Sequence, residues 1–317
     1  MKRIAALLLC LLLLAGCAPA NHDELQVQVN IVATTYPTYL AALTVTQGLD
    51  RVSVSRLDTG SVSCLHDYTL TVSDMKKLSR ADVIVMNGAG MEDFMADALA
   101  SSDAAVIDCS DGILLLPATG HHDHDAEHHH HDDHFDGHYW MDPARMSAAI
   151  DNVLTGLLRH FDLPYSEQIA QNANTAHSLL NQCVAEGRKA MSDTVISNAA
   201  LITFHDGFAY FADTFDLPLL ASIEEEAGSE ASAKEIVRIT ELVREHELPA
   251  IFTEVNGSDA TARAISRETG CGVYTLSTIM DGREPFADDI SPIMPYIEAI
   301  NINVAAIVGA FSPEEVE

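Results

Sequence analysis

Two separate series of short apolar segments, alternating with helix-like segments, constrain the fold of this chain more than any other feature. The first series has strand-like runs at 27–33, 52–57, 82–86 and 104–107. The second has them at 201–204, 219–222, 251–253 and 273–276. Strands that alternate with helices form parallel sheets with helices packed on their faces. We therefore predict an α/β protein of two lobes, each a mostly parallel sheet flanked by helices.

The segment between the two series is mostly helical in its pattern. Asp142 followed by Pro143 is typical of a helix start and predicts a helix to about His160. A second helix is predicted from Pro164 to about residue 191, and it lacks the Gly or Ser content of a flexible linker. We expect an N-terminal lobe at 25–163, a long rigid linking helix at 164–191 and a C-terminal lobe at 192–317.

Local signals predict helix boundaries inside the lobes. Ser73 is predicted to cap a short helix that ends at Arg80, and residues 91–100 are predicted to form one helix. Ser232 and Glu235 have the spacing of a capping box, which predicts a helix to about His246.

The N-terminal residues predict export. Lys2 and Arg3 precede an apolar run at 4–15 that is shorter than a transmembrane helix and typical of a secretory signal. The run ends in Leu-Ala-Gly-Cys, which resembles the bacterial lipoprotein cleavage signal. We expect residues 1–16 to be a signal peptide and Cys17 to be lipidated, so that the protein is extracytoplasmic and anchored to the cell membrane. An ordinary signal peptide with a chance cysteine is the alternative.

The charge of the chain limits its partners. It contains 47 acidic and 17 basic residues, which give a formal net charge of −30. So acidic a surface argues against nucleic acid and anionic lipid as partners, and it concentrates cations near the protein.

Three histidines stand where α/β proteins bind ligands. His66 lies in a loop between a predicted strand and a predicted helix, and His138 lies just before the helix that starts at Pro143. His205 directly follows the first strand of the second series. Open α/β sheets bind ligands at the carboxyl ends of their strands. One such histidine is usually an ordinary polar residue, but three in equivalent positions predict a site in a cleft between the lobes.

The segments around these histidines resemble the zinc and manganese solute-binding lipoproteins of ABC importers, particularly the zinc-specific branch. The resemblance is carried by HDYTLTVSDMKKL at 66–78, HYWMDP at 138–143 and FHDGFAYF at 204–211, and it covers nearly the whole mature chain. It implies a protein that captures Zn²⁺ and delivers it to the permease of an ABC importer, with His66, His138 and His205 as ligands. We expect a monomer that is not an enzyme.

The choice of metal and the fourth ligand stay open at this stage. Manganese-selective relatives usually have glutamate at the position of His205, and imidazole nitrogens suit zinc better than manganese. A manganese or broad-specificity protein of the same family is the alternative. The family often has an aspartate where this chain has Ser277, so we expect water or a loop side chain to complete the site, with Asp281 and Glu254 as candidates.

A tract rich in histidine precedes His138. Residues 119–137 contain eight histidines and six carboxylates, a composition that cannot bury a core. We predict a mobile loop that collects transition-metal ions with low affinity, and a solvated insertion without function is the alternative. The histidines are His121, His122, His124, His128, His129, His130, His131 and His134.

Other function classes have weaker support. The sequence has no Gly-rich phosphate loop, no G-x-S-x-G and no H-E-x-x-H. Asp67 and Asp206 would be the general bases of a zinc-dependent hydrolase, but they are more simply groups that orient imidazoles or cap helices. An adhesin or a metal-storage protein is a further alternative.

Four cysteines follow Cys17, and outside the membrane an even number permits disulfides. Cys64, Cys109, Cys183 and Cys271 allow three pairings, between which the sequence does not choose. Cys64 lies close enough to His66 for thiolate ligation, but oxidation with Cys109 is the simpler expectation for an exported protein.

Overall fold

Two parallel sheets form the framework of the molecule, one in each half of the chain. The computed structural model describes residues 28–59, 65, 68–118, 135–160, 165–193, 199–224, 231–255 and 257–312. The first sheet contains β1 (Val29–Ala33), β2 (Val52–Arg56), β3 (Val83–Met86) and β4 (Ala105–Asp108). The second contains β5 (Leu201–His205), β6 (Leu219–Glu224), β7 (Ala250–Glu254) and β8 (Gly272–Leu276).

The two sheets have the same topology, which confirms the predicted fold class. The strand order is β2-β1-β3-β4 in the first and β6-β5-β7-β8 in the second, and the neighbouring strands are parallel. In each sheet the first and third strands are therefore neighbours, and the strand order reverses between them. Ligands of open α/β sheets bind at this point, beyond the carboxyl ends of the strands.

Helices cover the sheets and connect the lobes. They are α1 (Tyr36–Val45), α2 (Val72–Leu78), α3 (Ala96–Ala100), α4 (Pro143–His160), α5 (Ser166–Asp193), α6 (Ala209–Thr214), α7 (Ala233–Glu245), α8 (Ala260–Thr269) and α9 (Met294–Phe311). Short 3-10 turns lie at Asp93–Met95 and Tyr139–Met141.

The linking helix α5 is bonded to both lobes. It has 28 residues and is therefore about 42 Å long at 1.5 Å per residue. Near its start the Asn172 amide donates to the carbonyls of Val45 and Gln47 in the first lobe. Near its end the Arg188 guanidinium donates to the carbonyl of Thr214 in the second. These bonds at both ends resist rotation of one lobe relative to the other.

Helix α9 is the one described helix that is long and apolar enough to cross a membrane. Half of its apolar stretch is buried, and residues such as Tyr296 and Ile300 lie in the main core. Its Asn303 side chain is also buried, where it accepts from the N–H of Ser277 and donates to the Ser277 carbonyl. The helix thus packs as a core helix and holds the chain where it leaves β8.

A crossing segment, residues 278–284, runs from the second lobe onto the first. The Trp140 indole donates to the Thr278 carbonyl at 2.8 Å, and Arg56 forms an ion pair with Asp281 at 2.9 Å. The Tyr36 hydroxyl donates to the carbonyl of Arg283. The lobes are therefore connected by side chains as well as by α5.

Two predicted helix boundaries were wrong, and one predicted capping box is incomplete. Thr71, not Ser73, caps α2, because Thr71 and Asp74 form the reciprocal bonds of a capping box. Residues 91–100 form a 3-10 turn followed by a short helix. Ser232 does accept from the N–H of Glu235, but the Glu235 side chain pairs with Arg238 and does not complete the predicted box.

Candidate metal centre

His205 ends a strand that is buried along its whole length. Strand β5, with the sequence LITFH, has every residue buried, and His205 is only 4% exposed. Gly207 follows two residues later, and a Cβ at this position would lie 2.8 Å from Cδ2 of His205 and 3.2 Å from Cδ2 of His138. A residue without a side chain is therefore required beside the two rings.

His138 approaches His205 from the first lobe. It is 5% exposed and lies on a loop just before the 3-10 turn at Tyr139–Met141. The Trp140 ring packs against it with the ring centroids 5.1 Å apart. Tyr296 of α9 donates to the Trp140 carbonyl, so that the loop is also bonded to an element of the second half of the chain.

The two imidazoles present their Nε2 atoms to each other. The Nε2 atoms of His138 and His205 are 3.1 Å apart, and the rings are nearly perpendicular. Two nitrogens that bind one tetrahedral Zn²⁺ at 2.0–2.1 Å lie about 3.3 Å apart. The pair therefore fits a shared zinc ion with a shift of a few tenths of an ångström.

Asp136 orients His138 for this role. Its Oδ1 accepts from the backbone N–H of His138 and lies 2.8 Å from Nδ1 of the same residue. A carboxylate at Nδ1 favours the tautomer with its proton there, which leaves the Nε2 lone pair for a metal. The carbonyl of Asp136 accepts in turn from the hydroxyl of Tyr210 on α6.

The position of Asp136 corrects the predicted loop at 119–137. Asp136 is buried, and its N–H donates to the carbonyl of Leu116. In the sequence Asp136 is one of six carboxylates of the tract, and its contact with His138 was not predicted. The signal available was its position two residues before His138, from which its carboxylate reaches both the N–H and the ring.

His66 and Asp67 lie outside the described residues, as do Cys17, Cys64 and the eight histidines of the tract. The residues on either side of His66 and Asp67 are described. Leu65 and Tyr68 are buried in the same core as Trp140. The Tyr68 hydroxyl donates to Asp74, whose pKa is lowered because the hydrogen bonds from Thr71 and Tyr68 outweigh the opposing effect of burial.

The two candidates for a fourth ligand differ in their surroundings. Glu254 is buried at the end of β7, next to β5, where the pairing of Thr203 with Phe252 puts it beside His205. Asp281 is partly exposed and paired with Arg56. Both residues line a cavity of about 210 Å³. Asp206 accepts from the Ser222 hydroxyl.

The described cysteines form no disulfide with one another. Cys109, Cys183 and Cys271 are buried thiols. Burial raises the pKa of the Cys183 thiol to about 12, so this group stays protonated and unreactive.

A family model decides the classification. The model described as zinc-uptake complex component A, periplasmic, matches residues 31–310. The chain belongs to this family. Its members are solute-binding components of transport systems, which agrees with the expectation of a protein that is not an enzyme.

Individual relatives are similar to this chain along most of its length. The zinc-binding lipoprotein AdcA of Streptococcus pneumoniae is 28% identical over 320 residues, which cover 97% of this chain. The chain spans 60% of the length of that relative. A putative metal-binding protein of Treponema pallidum is 26% identical and covers 78% of this chain and 77% of its own length.

Solved structures have the same fold. A crystal structure of ZnuA superimposes with a TM-score of 0.74 at 24% identity and covers 90% of this chain and 99% of its own. The likeness confirms the two-lobed architecture.

Proposed function

We propose that this protein captures Zn²⁺ outside the cytoplasm with His66, His138 and His205 and delivers it to the permease of an ABC importer. The observation that carries the proposal is the buried pair of Nε2 atoms from the two lobes, 3.1 Å apart, with Asp136 on the far side of one ring. An all-nitrogen pair suits Zn²⁺ better than Mn²⁺, which favours carboxylate oxygen.

The proposal that the protein is anchored beside a permease rests on its N-terminal sequence. Lipidation of Cys17 would hold the mature protein at the membrane surface, near a permease. The name of the Streptococcus pneumoniae relative, a zinc-binding lipoprotein, supports this part of the proposal. A monomer is the simplest state for a protein whose site is formed between its own lobes.

The test of the proposal is the composition of the zinc shell. Zinc-edge X-ray absorption on protein that holds one tight equivalent of Zn²⁺ should show a first shell dominated by imidazole nitrogen. Sulfur at about 2.3 Å would instead indicate Cys64 and contradict the assignment.

The His-rich tract is proposed to collect zinc at low affinity for the tight site. Deletion of residues 120–134 should remove the weak sites in a calorimetric titration and keep the strong one. This deletion spares Asp136, which a deletion to residue 136 would remove together with its bond to His138. Loss of the strong site would mean that the tract supplies a direct ligand.

A further inference from the structure

A buried carboxylate in the first lobe has no part in the metal site as described so far. Glu92 is 3% exposed and lies on the loop that follows β3. Its Oε1 accepts from the Thr34 hydroxyl at 2.6 Å and from the N–H of Asn87 at 2.7 Å, and its Oε2 accepts from the N–H of Gly88 at 2.9 Å. A polar side chain is buried at low cost only where such hydrogen-bond partners compensate it.

These three donors place Glu92 at the functional edge of the first sheet. Thr34 follows β1, and Asn87 follows β3. The two strands are neighbours at the point where the strand order reverses. Glu92 therefore joins the carboxyl ends of the two strands between which α/β sheets bind their ligands.

The loop held by Glu92 has a strained backbone. Gly88, Ala89 and Gly90 all have positive φ, at 78°, 53° and 82°. Alanine rarely adopts this conformation, and it persists only where the surroundings hold it. The hydrogen bonds that Glu92 accepts from the N–H groups of Asn87 and Gly88 supply that constraint.

The same loop contacts the residues on both sides of His138. The Asn87 amide donates to the carbonyl of Gly137 at 3.1 Å, and the Asn87 carbonyl accepts from the Tyr139 hydroxyl at 2.8 Å. A Cβ at Gly137 would lie 2.7 Å from Cγ of Met91, so the two loops are in close contact. A chain of contacts thus runs from Glu92 through Asn87 to the backbone that carries His138.

We infer that Glu92 and Asn87 are positioning residues that set the direction of the His138 imidazole and thereby the affinity for the metal. The inference rests on the proposed function, because it assumes that His138 is a ligand. A change that breaks the hydrogen bonds of either side chain would let the loop relax and turn His138 away from the direction that His205 requires. Removal of outer-shell partners typically weakens metal binding about 10–100-fold.

The test uses Glu92→Gln and Asn87→Ala in the full chain, extracted in mild detergent. Zinc affinity is measured by competition with a chelator, and the visible spectrum of bound Co²⁺ reports the coordination geometry. We expect each variant to lose about tenfold or more in zinc affinity and to show a changed Co²⁺ spectrum. The double variant should lose no more than the weaker-binding single variant, since both residues act through one chain of contacts.

Ile150→Ala is the matched control, because Ile150 is fully buried on α4 and its side chain makes none of the hydrogen bonds that hold the two loops. It should lower the thermal midpoint and keep the wild-type affinity and spectrum. Glu92→Gln and Asn87→Ala variants that behave like this control would overturn the inference, whereas the proposed function would stand. Wild-type protein that fails to bind one tight Zn²⁺ would instead overturn the proposed function.

Discussion

The two lobes have the same strand order, but they hold their histidines on different kinds of backbone. In the second lobe, His205 is the last residue of β5 and takes its position from the strand itself. In the first lobe, His138 lies on a loop before a 3-10 turn. That loop is held by Asp136, Asn87 and Tyr139, and through Asn87 by Glu92. A ligand on a strand needs little support, whereas one on a loop needs further side chains to fix it.

The strongest test of this comparison removes the two proposed ligands themselves. His138→Ala and His205→Ala should each weaken zinc binding well beyond the roughly 100-fold that loss of an outer-shell partner causes, because each removes a coordinating nitrogen. Chelator competition measures the effect. His177→Ala is the control, since His177 lies on α5 with its Nε2 3.2 Å from Asp151. Either site variant with wild-type affinity would mean that the two lobes do not share the metal.

The position of His205 at the end of a strand could be predicted from the sequence. The side chains that hold the His138 loop could not. His205 follows a run of apolar and β-branched residues that predicts a buried strand, and its position at the strand end follows directly. Glu92 bonds to Thr34, which is 58 residues distant in the chain, and no local pattern indicates such a contact. Glu92 is the second residue of the segment 91–100, in which one helix was predicted. Its hydrogen bonds with Thr34, Asn87 and Gly88 hold the start of this segment, so that a 3-10 turn forms there instead of a regular helix.

The second prediction concerns Glu92 in the first lobe and the pH dependence of its contribution to stability. Burial raises the pKa of Glu92 from 4.5 to about 7, against the effect of its hydrogen bonds. The folded protein therefore holds this proton more tightly than the unfolded chain does. Stability from this group is fully present below pH 4.5 and is lost as the pH rises through 7. The free energy of unfolding should fall by about 3 kcal/mol, because a pKa shift of one unit corresponds to about 1.36 kcal/mol.

Urea unfolding of metal-free protein at pH 5 and pH 8 would check this prediction. Between these two values the free energy of unfolding of the wild type should fall relative to that of Glu92→Gln, which has no proton to lose. Other titrating groups contribute equally to both proteins and cancel in the difference. Equal pH dependence of the two proteins would mean that Glu92 is charged throughout, so that its three donors outweigh its burial.

The third prediction isolates the direct support of His138. Asp136→Ala should weaken zinc binding about 10–100-fold, because Nδ1 of His138 loses the acceptor that fixes its tautomer and ring orientation. Asp213→Ala removes an exposed carboxylate of the second lobe and should leave the affinity unchanged. An Asp136→Ala variant with wild-type affinity would show that the loop backbone alone positions His138, which would remove the contrast between the lobes.

The smallest expected effect concerns the crossing segment and the fourth ligand. Asp281 is 48% exposed and Arg56 is 21% exposed in their ion pair, so the pair should contribute at most about 1 kcal/mol to stability. If Asp281 only joins the lobes, Arg56→Met and Asp281→Asn should lower stability slightly and keep the zinc affinity. If Asp281 completes the metal site, Asp281→Asn should weaken zinc binding, while Arg56→Met should strengthen it by releasing the carboxylate. Zinc affinities of the two single variants and the double variant decide between these outcomes, because a shared carboxylate makes the Arg56 effect disappear in the Asp281→Asn background.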